Sequence, residues 1–487
     1  MRVLRLLVLL VGLVLFGCSD SKDEKVAVTK FEEFYPQYNE YIAGWIEGEL
    51  TRLSGVKGDL EERLAGAEDG ERKALEEQLE EVGTDVARME FRKNLGDYFA
   101  FKSIEDLPEG LNWEDGMDEA EIGDPARKRG GTFRYYWPNF PPTMRPFGTE
   151  SNHSARNDLY DDLEIGLVGL HPETLGVTPA VAREWAVSED KRTVYFRLDP
   201  DAKYNDGVKV EAVDVPFGIF LRVSDNVVTP YQKQYYREQF AQIAVYDEET
   251  LSITLANAKP LTPYFTNVAP AAKHFYKDYG PDYEERYQWK VPPTTGAYFV
   301  KDEDIVKGVS VTLTRAKDWW ADDKKYYRNL YNPSRIRYTV VRDEPKAFEL
   351  FKAGEIDFFR RLIQPDYWYE KSEEEVFFDG YIEKHEFYIK YPHIPWGLWL
   401  NTAQGLLGDR NVRLGLQHGM NMQRVIDVEF RGDYERLPQM SGGYGEFSDP
   451  ELKAREFSVV KAREYFAKAG FTTVGGDGIL ETADGTR

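Results

Sequence analysis

Two hydrophobic periodicities partition this chain, and the point where one gives way to the other restricts its architecture most. Between Phe31 and about Gly96, apolar residues recur at three- and four-residue steps: Ile46, Leu50, Leu53, Leu60, Leu64 and Ala67, then Leu75, Leu79, Val82, Val86 and Met89. That spacing lines one face of an α-helix. Glu, Arg and Lys fill the other positions and "GAEDGE" interrupts the pattern near Gly70, which predicts an antiparallel helical hairpin over 31–100. Its seam is too short for a long rod, and Gly44, Gly48, Gly55, Gly58 and Gly66 each weaken the helices. The hairpin reads as an appendage packing on the main body, with a spacer or docking role as the alternative. The stretch 101–129, "EDLPEGLNWEDGMDEAEIGDPARKRG" at its centre, is acidic, carries Gly and Pro, and reads as a linker.

From Gly130 the period becomes two. In "TVYFRLD" the residues Val194, Phe196 and Leu198 alternate with Thr193, Tyr195 and Arg197, so one strand face is buried and the other is wet. "GTFRYYW", "AVYDEETLSITLA", "GAYFVKD", "GVSVTLTRA", "SRIRYTVV" and "YIEKHEFYI" read the same way. Between them lie helical patches at Glu211 to Leu221, "EPKAFELFKAG" and "FSVVKAREYFAKAG". The mixture is an α/β pattern without internal repeats.

The first residues set the compartment. "MRVLRLLVLLVGLVLFGCSD" has Arg2 and Arg5, then an apolar run from about Leu6 to Phe16, too short for a membrane span and of the length of a secretory signal. Leu15-Phe16-Gly17-Cys18 resembles a bacterial lipobox, which implies removal of residues 1–17, lipidation of Cys18 and a tether over 18–30. Cys18 is the only cysteine, so there is no disulfide framework. Several acyl chains, at about 0.8 kcal/mol per buried CH₂, hold such a protein stably to a membrane. The expected location is the bacterial cell envelope, periplasmic and lipid-anchored, with inner or outer membrane left open.

A formal net charge of −23 argues against nucleic acid, because phosphate contacts need clustered Lys and Arg. The same excess keeps an exported protein soluble. The six histidines show no metal-ligand spacing, and there is no Gly-x-Ser-x-Gly elbow, phosphate loop or dinucleotide fingerprint. Acidic pairs such as Asp161-Asp162 and Asp322-Asp323 are common in so acidic a chain, and His393 and His418 read as structural. No catalytic residue, cofactor or metal is assigned, and an enzyme is not expected.

Several short motifs follow one another along the chain: Gly130-Gly131-Thr132, Pro146, Ala182-Arg183-Glu184-Trp185, Tyr204-Asn205-Asp206-Gly207 and Ala212-Val213-Asp214-Val215. "TTGAYFV", Asp318-Trp319-Trp320, "AFELFKAGEIDF" and "LWLNTAQGLLGDRNVRLGLQHGMN" follow. Together they resemble the family 5 extracellular solute-binding proteins, the oligopeptide-, dipeptide- and nickel-binding components of ABC importers, from Gly130 to the last residue. The block from Asp318 to Phe359 is most similar to the YejA-like subgroup, associated with import of peptides and peptide-like antibiotics. Tyr204 stands where the family has Trp, and Glu211 where it has a capping Thr; Glu is a poorer N-cap.

The resemblance implies a two-lobed periplasmic-binding-protein-like fold (class II, family 5 type) with an N-terminal helical hairpin added. Lobe I would span 130–383 and lobe II 384–487, the latter incomplete, since the family continues beyond this point with the aspartate that meets a peptide's α-amine. It also implies a monomer that captures extended oligopeptides in an interlobe cleft and delivers them to ABC permease subunits. Position by position, Glu150 and Asn152 fall where the first lobe meets the peptide, and Ile394, Trp396 and Gly397, with Trp399, fall on a strand of the second lobe that can pair with ligand. Arg413 reads as a structural ion-pair partner, and "YNDGVKVEAVDV" as structural. An oligosaccharide receptor of the same fold, or a cell-envelope interaction lipoprotein working through its hairpin, are the alternatives.

Overall fold

The computed structural model describes residues 27–387, 396–442 and 448–486. The chain divides into two compact units that interleave in sequence. The first takes the described residues of Met1–Asp115 with Pro141–Leu167 and Ala180–Asp302; the second takes Gly116–Phe140, Val168–Pro179 and the described residues of Glu303–Arg487. The residues on both sides of the 383/384 boundary thus share a unit.

In the first unit, the three- and four-residue spacing yields helices α1 (Phe31–Ala65) and α2 (Asp69–Leu95). Ile42, Ile46, Leu53, Leu60, Leu75 and Met89 are buried along them, while the charged residues between stay wet. Helix α1 runs unbroken through Pro36 and four glycines, because packing outweighs intrinsic propensity. Its first turns are aromatic. Phe31 meets Phe217 and Phe220 at 6.2 and 5.6 Å, and Phe34 meets Phe220 at 4.8 Å, which fastens the hairpin base onto helix α3 (Asp214–Val223). A second fastening lies about three turns further along α1. The Arg92 and Arg237 guanidiniums sit 5.0 and 5.1 Å from the Trp45 ring, and Arg92 donates to the Arg237 carbonyl at 2.7 Å. The cation–ring contacts compensate a charge that burial disfavours.

The unit's sheet has six strands, ordered 99–101, 240–245, 250–255, 193–198, 182–187 and 113–114. All neighbours are antiparallel except 99–101, which runs parallel to 240–245. Both edge strands come from, or adjoin, the stretch read as a linker, so Phe101 and residues 113–114 of that stretch are part of the sheet. Asn39 of α1 bonds both the amide (2.9 Å) and the carbonyl (3.0 Å) of Phe99, satisfying an edge that would otherwise face outward unpaired. Val194, Phe196 and Leu198 are fully buried, as their alternation requires. Helix α3 is buried on nearly every side, so it reads as hydrophobic all round rather than amphipathic.

"YNDGVKVEAVDV" forms a tight loop ahead of α3. Gly207, at φ +92°, donates to the Tyr204 carbonyl at 2.9 Å, a backbone that glycine adopts cheaply. Asn205 bonds the Thr294 carbonyl through its amide (2.8 Å) and the Tyr298 carbonyl through its side chain (2.6 Å). The Asp214 carboxylate accepts from the Glu211 amide at 3.0 Å, so the helix start is closed by Asp214 where Glu211 cannot cap it. Every one of these bonds is internal.

In the second unit, strands 132–137 and 335–340 run parallel, with 310–315 antiparallel to the latter. Arg134 grips Asp357 through its backbone amide and guanidinium at 2.6 Å. Asp322 takes ion pairs from Arg129 (2.6 Å) and Arg315. Helices 410–419 and 459–468 pack together over a short hairpin of 471–474 and 480–482. Two expected strands do not form: 381–387 is irregular, with 388–389 outside the described residues, and 396–404 contains no strand. No described strand lies alongside either, and a strand's amides and carbonyls need such a neighbour.

Candidate ligand-binding site

Glu150 and Asn152 sit together in one loop of the first unit, exposed to solvent. The loop is built from buried parts. Met144 is fully buried, its amide donates to the Gln288 carbonyl at 2.7 Å, and its carbonyl accepts from the Tyr160 hydroxyl. Arg145, 3% exposed, spends its guanidinium on the Thr143 hydroxyl (3.0 Å), the Thr149 carbonyl (2.9 Å) and Glu284 (3.3 Å). Glu284 in turn accepts from the Thr149 amide at 3.0 Å. Burial pushes the Glu284 carboxyl up, but the Thr149 and Arg145 bonds outweigh it and leave its pKa below the ordinary value. Gly148, at φ +97°, lies where a Cβ would stand 2.9 Å from Arg145 Nη1 and 3.1 Å from Glu284 Oε1, so a side chain there would meet the ion pair. Ser151 closes the turn with amide and hydroxyl bonds to the Gly148 carbonyl, at 3.2 and 2.8 Å. Glu150 itself has φ +61°, a left-handed backbone that costs a non-glycine residue about 1 kcal/mol.

Trp396, Gly397 and Trp399 belong to the second unit. Trp396 is 83% and Trp399 67% exposed, and the Trp396 ring stacks on Tyr434 at 6.3 Å. Gly397 has no heavy atom within 4 Å of where its Cβ would be. Ile394 and Cys18 lie outside the described residues. Among the described residues no acidic group pairs with Arg413: its guanidinium donates to the Leu407 and Gly408 carbonyls at 2.7 and 2.9 Å, closing the end of a helical turn. His418 is buried, with Nδ1 2.8 Å from the Glu456 carbonyl and its ring stacked on Tyr465. Among the described residues no group of His, Cys, Asp and Glu could hold a metal, and no helix is long and apolar enough to cross a membrane.

Sequence reasoning did not find Arg145 and Glu284. They lie far apart in the chain, and only "RPFG", an arginine just ahead of a turn glycine, hinted at the first.

The model of the bacterial extracellular solute-binding proteins, family 5 (middle region) matches residues 176–486. The chain belongs to this family. The probable peptide-binding protein YejA of Agrobacterium fabrum is 25% identical over 280 residues, 57% of this chain and 44% of that protein. This family 5 chain spans about half the length of the curated relatives it matches. Among solved structures it resembles the Bacillus subtilis oligopeptide-binding protein AppA in complex with a nonapeptide, with a TM-score of 0.56 and 20% identity over 74% of this chain and 68% of that one. A mannohexaose-bound periplasmic oligopeptide-binding protein from Thermotoga maritima gives 0.52 and 16% over 74% and 66%. The mixed α/β fold is thus that of the family 5 periplasmic binding proteins.

Proposed function

We propose that this protein is the substrate-binding lipoprotein of an ABC importer, taking up extended oligopeptides between two lobes and handing them to a permease. The family match over residues 176–486 carries the reading, and the peptide-binding relative and the nonapeptide-bound neighbour favour peptides within it. The physics suits such a guest. A water-excluding cleft lets backbone amides and carbonyls pair with an extended chain as an added strand, which gives affinity with little demand on sequence. Only a ligand that binds the closed form better than the open one shifts that equilibrium, and the shift is what a permease can sense.

Oligosaccharides are the second reading. The exposed Trp396 and Trp399, with Trp396 stacked on Tyr434, offer ring faces of the kind that sugars pack against, and one structural neighbour holds mannohexaose. Thermal shift with a panel of di- to pentapeptides and of mannose and glucose oligomers separates the two. Peptide-dependent stabilisation, which follows mass action in free ligand, supports the first. Stabilisation by sugars alone removes it.

Anchoring through Cys18 is a separate part of the proposal. Cys18→Ala is expected to abolish metabolic labelling with a fatty acid and to move the protein from the membrane to the soluble fraction, while thermal stability stays unchanged. Retention at the membrane after that substitution would refute a lipid anchor.

A further inference from the structure

The loop carrying Glu150 is an unusual piece of engineering for an ordinary surface turn. Beneath it a nearly inaccessible arginine is committed to three partners, two of which, Thr149 and Glu284, belong to or directly hold the loop. Glu284 closes the circuit by accepting from the Thr149 amide. Gly148 fits against both members of the ion pair where a side chain would not. The result fixes the backbone on the N-terminal side of Glu150, and the Ser151 bonds to the Gly148 carbonyl fix the other side. Between these two clamps Glu150 takes a left-handed φ that its own side chain disfavours.

The charges in the loop are equally one-sided. Arg145 and Glu284 neutralise each other, and Arg156 pairs with Asp161 at 3.0 Å. The His153 Nε2 lies 3.1 Å from the Thr143 carbonyl, and burial holds its pKa below the ordinary value, which keeps the ring neutral. Glu150 is left as the exposed charge of the 148–152 turn. Resting on the ligand-binding reading above, we infer that Arg145 and Glu284 are positioning residues that hold Glu150 in a strained backbone so that its carboxylate receives a cationic nitrogen of the ligand. An amino terminus and a lysine side chain share that chemistry.

The test compares three pentapeptides: one with a free amino terminus and no lysine, its N-acetylated form, and an acetylated form carrying one lysine. Titrations are run on wild type, Glu150→Gly, Glu284→Gln and Glu284→Asp. Glu150→Gly removes the carboxylate but suits the left-handed φ, so the melting midpoint should not fall. Its affinity for whichever cationic peptide binds should drop by about tenfold, the scale of one charge-assisted contact, with the neutral peptide unaffected. Which cationic peptide responds tells the amino terminus from the side chain. Glu284→Gln should weaken the same peptide, speed amide exchange at 149–152, and be restored by Glu284→Asp.

If both substitutions leave cationic peptides bound as in wild type, or weaken neutral and cationic peptides alike, the inference is overturned while the binding-protein reading stands. If wild type binds no peptide, that broader reading fails instead, and the charge-reading role of Glu150 fails with it. Amide exchange then decides the clamp by itself: unchanged protection at Thr149 and Ser151 in Glu284→Gln would show that the ion pair does not position the loop.

Discussion

Phe220→Ala is expected to destabilise the first unit by about 3–5 kcal/mol, the range for removing a large, fully buried ring that neighbours cannot replace. Phe220 is completely inaccessible and touches rings from four directions: Phe31 at 5.6 Å, Phe34 at 4.8 Å, Phe217 at 5.5 Å and Tyr279 at 5.3 Å. Two of these belong to α1 and two to the body of the unit, so the cavity opens at their seam. Aromatic pairs add to the area term, and collapse into the space is limited because Tyr279 is tied to Ser224 and to the Leu221 carbonyl. The effect should therefore be local as well as global. Urea unfolding should show a lower midpoint, and limited proteolysis should cut near Lys30 and Arg92 before the sheet is attacked. A loss below about 1 kcal/mol, or uniform proteolysis, would mean that the hairpin is not held by this cluster.

The hairpin shows how far periodicity carries. Its seam was legible because Ile46, Leu53, Leu60, Leu75 and Met89 repeat at helical steps, and that signal is local. What fastens it was not, because the fastening is non-local: Trp45 between Arg92 and Arg237, and Asn39 against Phe99, join residues with no sequence relation. The two short strands in and beside the linker are not legible for a related reason. Strands 99–101 and 113–114 are too short to show alternation, and they exist only because longer strands offer them an edge.

The candidate site divides along the same line. Motif order identified the family, and the motif residues turn out to be structural: Trp185 is buried in the sheet, and Asn205 sews its loop to 294–298. Such residues recur in recognisable order because they fold the scaffold. The residues proposed to meet a ligand, Glu150 and Trp396, are exposed, and exposure leaves no hydrophobic pattern to read. The supporting pair Arg145–Glu284 is visible only once the chain has brought its members together.

The second large effect concerns pH. Burial pushes Glu164 up from its ordinary 4.5 to about 7, with Asp161 acting in the same direction and Arg222 and Arg156 against it. Burial likewise pushes Asp214 up from 3.8 to about 6, opposed by the Glu211 amide, the Tyr204 hydroxyl and Lys273. Both carboxyls are thus easier to protonate folded than unfolded. Below the unfolded values each state is protonated and their contribution is complete; as pH rises toward the folded values, the unfolded chain releases its protons first and gains stability relative to the native one. Stability of the first unit should therefore fall from about pH 4 to about pH 7 and level off above that, whereas a carboxyl held low, such as Glu284, acts only at more acid pH. Glu164→Gln should remove its share, worth on the order of 2 kcal/mol at pH 8 once partial solvent access is allowed for, and only about a quarter of that at pH 5. Asp214→Asn should act in the same direction, reduced by the part of the Glu211 bond that an amide keeps. Urea titrations of wild type and both variants at pH 5, 6, 7 and 8 measure this directly. Parallel profiles for wild type and Glu164→Gln across that range would show that the Glu164 carboxyl is solvated as in the unfolded chain, and that the 157–167 segment does not close over it.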